Sequence, residues 1–166
     1  MVAETLTSTR AADNFPVFKP LGAGLLSCAF GTYNIAANVE AGDIFEMCKI
    51  PAGSTIVGGY LYGKDIDTNA TETLDMDVGW AANGGSGTYD SADPDGLGNL
   101  GVLTGDAFAT GSVSTVAGLV YPFSGVFALG TLPTFSKETT IQVVANAAAA
   151  TFAEGAISVV VFYVCD

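Results

Sequence analysis

Along this chain apolar side chains recur at every second position in a series of short runs, the period that turns successive side chains to opposite faces of a β-strand. The runs are LLSCAFGTYNIA (25–36), GDIFEMCKI (42–50), STIVGGYLYG (54–63), ETLDMDVGW (72–80), ETTIQVVANA (138–147) and GAISVVVFYVC (155–165). Glycine, asparagine and proline punctuate them, as in Pro51-Ala52-Gly53. Runs of this kind joined by short turns predict an all-β chain folded as an antiparallel sandwich or barrel. Strand signals are looser over 107–129, and ANAAAATFAEGA (145–156) suits a short turn or hairpin as well as a helix. The segment 81–106, dense in Gly, Asp, Asn and Ser, reads as a long loop.

Two segments depart from simple alternation. In 155–165 one face carries Ile157, Val159, Val161 and Tyr163, and the other Val160, Phe162 and Val164. A strand apolar on both faces is covered on both, one side by the second sheet and the other by an arm, a loop or a partner. Residues 1–20 read as an extended N-terminal arm ahead of a domain over 21–166, because Pro16 and Pro20 disfavour helix. Phe15, Val17 and Phe18 are apolar anchors with which the arm either folds back on its own core or docks on a neighbour. Together with Val160, Phe162 and Val164 they form the expected interface.

Charge narrows the partners. Seventeen Asp and Glu face five Lys and Arg in 166 residues, a net charge of −12. Such a surface is repelled by nucleic acid and by anionic membrane, so neither is expected as a partner. No basic start followed by an apolar run opens the chain, which speaks against a secretory signal and for synthesis in a cytoplasm.

Candidate chemistry is sparse. Asp75 and Asp77 lie on one side of a strand, about 7 Å apart, near the spacing at which paired carboxylates cleave sugar bonds. Their apolar neighbours all face the other way, so the pair is expected to be solvated, ionised and without catalytic work. DSADPDGLGN (90–99) suggests calcium through Asp90, Asp93 and Asp95, but in EF-hand register the first ligand is Ser91 and the twelfth Val102. An acidic turn is the better reading, and no metal or cofactor is assigned. There is no histidine to activate a nucleophile, so no catalytic residue is assigned and the chain is not expected to be an enzyme. Of the three cysteines, Cys28 and Cys48 are expected inside and Cys165 within reach of solvent. A sugar platform would need Trp80 and Tyr89 exposed together.

The order of motifs adds one more expectation. An arm, then GDIFEMCKIPAGSTIVGGYLYG, then TLDMDVGW and a Gly/Asp loop, and finally ISVVVFYVCD, resembles the capsid decoration, or cement, proteins of tailed bacteriophages. The resemblance spans about residues 25–166. It implies a jelly-roll-like β-sandwich on the virion exterior, bound to the major capsid protein, self-associated as a homotrimer and bridging capsomers. The alternative is a carbohydrate- or receptor-binding sandwich of a fibre or adhesin.

Overall fold

The computed structural model describes residues 3–17, 24–102, 119–123 and 130–165. Within them lie β1 (Thr5–Thr7), β2 (Ser27–Ile35), β3 (Ile44–Ile50), β4 (Ser54–Gly63), β5 (Asp75–Trp80), β6 (Asp93–Val102), β7 (Leu119–Pro122), β8 (Thr139–Ala147) and β9 (Gly155–Cys165), and no helix. Sheet A has the order β1-β3-β8-β5-β6 and sheet B the order β2-β9-β4-β7. The antiparallel pairs β2/β9, β3/β8, β4/β7 and β5/β6 nest around the β5–β6 connection, alternating between the sheets. The chain is thus one long hairpin rolled so that successive pairs fall on opposite sides. That is a jelly roll, as the sequence resemblance implies.

The core fills the space between the sheets with the inward sets of the alternating strands: Phe45, Met47 and Ile50 from β3, Met76, Val78 and Trp80 from β5, Ile141 and Val143 from β8, and Val159, Val161 and Tyr163 from β9. Each such side chain contributes roughly 1.5–3 kcal/mol by leaving water. The sheets also meet directly. A Cβ on Gly31 would lie 1.7 Å from the carbonyl oxygen of Met47, so the crossing of β2 over β3 admits only glycine.

The stretch 81–106 is less of a loop than its composition predicts, because residues 93–102 form β6 against β5. Two register shifts in that pairing absorb the irregular sequence. Its glycine content has a packing reason. The indole of Trp80 lies where a Cβ on Gly96 would be, 2.4 Å away at the nearest ring carbon, and the indole N–H donates to the Ser91 carbonyl at 2.9 Å. Residues 103–118 and 124–129, which take in the end of the 81–106 segment and most of the loosely read 107–129, lie outside the described residues.

Residues 3–17 seat on their own domain. β1 joins β3 as a parallel edge strand, with Ile44 N–H donating to Glu4 O and Ser8 N–H to Glu46 O, each at 2.8 Å. The Ser8 hydroxyl donates to the Met47 carbonyl, and Ala11 is buried. Asp43 receives the Glu4 N–H at 3.0 Å and the Glu40 N–H at 2.9 Å, tying the arm to the β2–β3 turn. Of the two readings of Phe15 and Val17, the described arm follows the one that folds back. Phe18 lies outside the described residues.

Candidate interaction face

The four strands of sheet B contain no Asp, Glu, Lys or Arg, in a chain with seventeen acidic residues. Sheet A, by contrast, carries Glu46 and Lys49 on β3, Asp75 and Asp77 on β5, and Asp93 and Asp95 on β6. The charge-free sheet turns one face to the core and the other outward.

Antiparallel register sets what the outward face presents, since directly opposed residues share a side. One row runs Phe30, Val160, Tyr60 and Pro122 across β2, β9, β4 and β7. Above and below lie Cys28 with Phe162, and Thr32 with Ser158 and Tyr62, with Val164 and Thr55 beyond. Tyr60 packs its ring 6.0 Å from Phe162, edge to face, and 5.9 Å from Tyr62. Phe30 is 46% and Tyr62 41% exposed, while Val160, Phe162 and Val164 are half-buried. Leu25 and Leu26, just before β2, are also exposed. The product is a contiguous aromatic and aliphatic surface of the kind that marks a protein contact.

Where the arm reaches this face, Arg10 lies over two rings, its guanidinium carbon 3.9 Å from the centroid of Phe30 and 5.0 Å from that of Phe15. Beside it Lys49 pairs with Asp13 at 2.7 Å and with Glu138 at 3.7 Å. The pairing lowers the pKa of Asp13 and raises that of Lys49, the Asp13 hydrogen bond being the leading cause for the lysine. A shallow cavity beneath the arm is lined by Arg10, Phe15, Val17, Cys28 and Tyr163. Phe15 and Val17 therefore adjoin the face that displays Val160, Phe162 and Val164. Sequence reasoning missed Phe30, Tyr60 and Tyr62, although the alternation of Tyr60 with Tyr62 and of Cys28 with Phe30 carries the signal. Nothing local in the sequence points to Arg10.

The remaining sequence candidates resolve differently. Asp77 is only 5% exposed and accepts a hydrogen bond from Asn146 Nδ2 at 2.6 Å, so it is not the solvated residue expected. β5 is an interior strand of sheet A, and Asn146 of the neighbouring β8 reaches Asp77 on its outer side. Asp75 is half-buried with one oxygen, Oδ1, that has no hydrogen-bond partner. Trp80 is 1% exposed and wedged edge to face against Phe135 and Tyr89, at 5.2 and 6.1 Å, and so presents no sugar platform.

Asp90 turns inward. It accepts from Asn83 Nδ2 at 2.7 Å, Gly87 N–H at 2.6 Å and Ser136 N–H at 3.0 Å. Hydrogen bonds from Ser136 and Asn83 hold its carboxyl well below the usual range, and its oxygens are taken up in closing the turn. Asp93 and Asp95 are neighbours, and burial, then their mutual hydrogen bond, raises the pKa of Asp93. Among the described residues no three metal-ligating side chains gather. The cysteines are all free and reverse expectation at two positions, with Cys28 exposed and Cys165 buried against Ser54 Oγ at 3.3 Å. Strand parity decides this, since Cys28 opposes outward Phe162 and Cys165 continues the inward set of β9.

No protein-family model matches the chain, and no curated protein does. Solved structures do. A chain in the capsid of Ralstonia phage GP4 superposes with a TM-score of 0.71 over 98% of both chains at 24% identity. A chain of the cyanophage Pam1 capsid asymmetric unit superposes with a TM-score of 0.63, covering 93% of this chain and 96% of its own, at 22% identity. This chain thus shares its jelly-roll fold with chains found in phage capsids.

Proposed function

We propose that this chain is a structural, non-enzymatic subunit of a phage virion that binds the outside of the capsid and stabilises it by bridging capsomers. The observation that carries the proposal is the end-to-end likeness to the phage GP4 capsid chain, 98% of each chain. The likeness spans both sheets of the sandwich, so the proposal rests on the sandwich itself. The uncharged outer face of sheet B supports the reading, because a subunit serving as a clamp needs apolar contact area and no reactive pocket.

On this reading the partner is the major capsid protein. Phe15, Val17, Phe18, Val160, Phe162 and Val164 belong to the contact, and copies self-associate as a homotrimer. The subunit is made in the host cytoplasm and joins the virion from outside. Bridging stabilises a shell to the extent that the subunit binds assembled capsomers better than separated ones. The test is to mix the purified chain with expanded and unexpanded heads and image both by cryo-electron microscopy. Ordered density over capsomer junctions, with tighter binding to expanded heads, is the expected result. Equal binding to both forms, or none, overturns the proposal.

A further inference from the structure

Among the described residues Arg10 is the one cation without an acceptor. Lys49 has Asp13 and Glu138, Lys64 the Glu154 carbonyl at 3.2 Å, and Lys137 the Gly84 carbonyl at 2.7 Å. Arg10 has only rings, Phe30 at 3.9 Å and Phe15 at 5.0 Å. Stacking of this kind fixes the plane of a guanidinium while leaving its N–H edge free. An edge so fixed is prepared for a bidentate carboxylate, with less conformational freedom left to lose on binding. Its position matters too, since Phe30 lies on the uncharged outer face of sheet B.

Resting on the reading of the chain as a capsid subunit, we propose that Arg10 is a carboxylate-receiving anchor for self-association, its partner an Asp or Glu of a second copy docking on the sheet-B face. Charge complementarity selects the second copy. Carboxylates are what this surface holds in excess, at a net charge of −12. Two such chains repel each other except where charge is absent, and sheet B is where it is absent. Apolar contact supplies area there, and one free guanidinium at the margin supplies the countercharge that sets orientation. Arginine and tyrosine are among the residue types that dominate interface energetics.

The test is sedimentation equilibrium of the full chain, comparing wild type with Arg10→Ala and Arg10→Lys at low and high salt, alongside thermal melts. Wild type is expected to associate. Both variants should weaken association about tenfold or more at low salt, and the loss in Arg10→Ala should shrink as salt screens the pair. Arg10→Lys keeps the charge but loses the planar fork, and it covers the case in which the alanine variant misfolds. The Arg10 Nε–H resonance should shift downfield with concentration, a change that a merely structural stack would not produce. An unchanged association constant in a folded variant overturns the proposal. A wild-type chain that stays monomeric at every concentration also overturns it, assigning the face to a different protein. Head binding is measured separately, so failure here leaves the capsid reading to its own test.

Discussion

At the scale of single residues, buried carboxylates hold the turns of this sandwich. Asp67, fully buried, accepts N–H groups from Thr73 (2.7 Å), Leu74 (3.1 Å), Ala150 (3.0 Å) and Thr151 (2.9 Å), binding the β4–β5 connection to the β8–β9 connection. Burial alone would raise its pKa, but the backbone donors outweigh it and hold the carboxyl at about 2, down from 3.8. A lowered folded-state pKa stabilises the fold above the unfolded value and loses that contribution as pH falls toward about 2. Asp67→Asn should therefore cost about 3 kcal/mol in urea melts at neutral pH, by presenting an amide to N–H donors. The gap to wild type should narrow as the pH falls below about 4; a gap constant with pH would remove the charge from the explanation. Cysteine exposure gives a second check. A thiol reagent should modify Cys28 alone in the folded chain and Cys48 and Cys165 only after unfolding. The pKa of Cys48 is pushed up to about 12, chiefly by burial, which slows it further. Rapid labelling of Cys165 would contradict its place in β9.

Elements were legible in proportion to how plainly they alternate. The period-2 runs at 54–63 and 155–165 became β4 and β9 with the same limits, and 138–147 became β8 within one residue. β6 was hidden because its glycines and aspartates imitate a loop, and only the buried Trp80 ring explains why glycine belongs there. β1 was hidden because three residues carry no period. What joins it to β3 is backbone hydrogen bonding, which side-chain pattern does not encode. Of the candidate face, the β9 residues were readable from a doubly apolar strand. The stacking of Arg10 on Phe30 was not, since their adjacency arises only when the arm reaches β2. Parity assigned the cysteines correctly once strand register was known, whereas position relative to the terminus misled. Two predictions belong at this scale. Gly31→Ala should destabilise the fold by about 3 kcal/mol or more in denaturant melts, because a backbone carbonyl cannot make room for the methyl. Deleting residues 1–17 should lower the melting temperature and promote aggregation, measured by light scattering, because it unseats Ala11 and bares the edge of β3. A truncated chain as soluble and stable as the full one would reduce the arm to an appendage.

For the whole molecule the governing feature is the segregation of charge. A jelly roll needs only one apolar face per sheet, so a sheet free of charge on both sides exceeds what the core requires. That excess is an expense in solubility unless something covers it. Placing a carboxylate on the outer face by Tyr62→Asp should leave folding nearly intact, since Tyr62 is already 41% exposed. Self-association should fall by roughly a hundredfold, the scale of a desolvated, unpaired charge at an interface. Retained association in sedimentation equilibrium would move the contact elsewhere.

The strand order also governs how each copy is made. β9, the last of the described strands in chain order, lies inside sheet B and bridges β2 and β4, which have no ladder with each other. Until translation delivers it, one wall of the sandwich cannot exist, and Val159, Val161 and Tyr163 are missing from the interior. Acquisition of structure consequently waits until residues 155–165 have been made, and fragments that stop short of β9 remain open to proteases. A chain that stops at residue 150 should be digested throughout, whereas one that includes β9 should resist. Any partner that binds only the assembled face would thereby exclude chains lacking β9 without a separate inspection step.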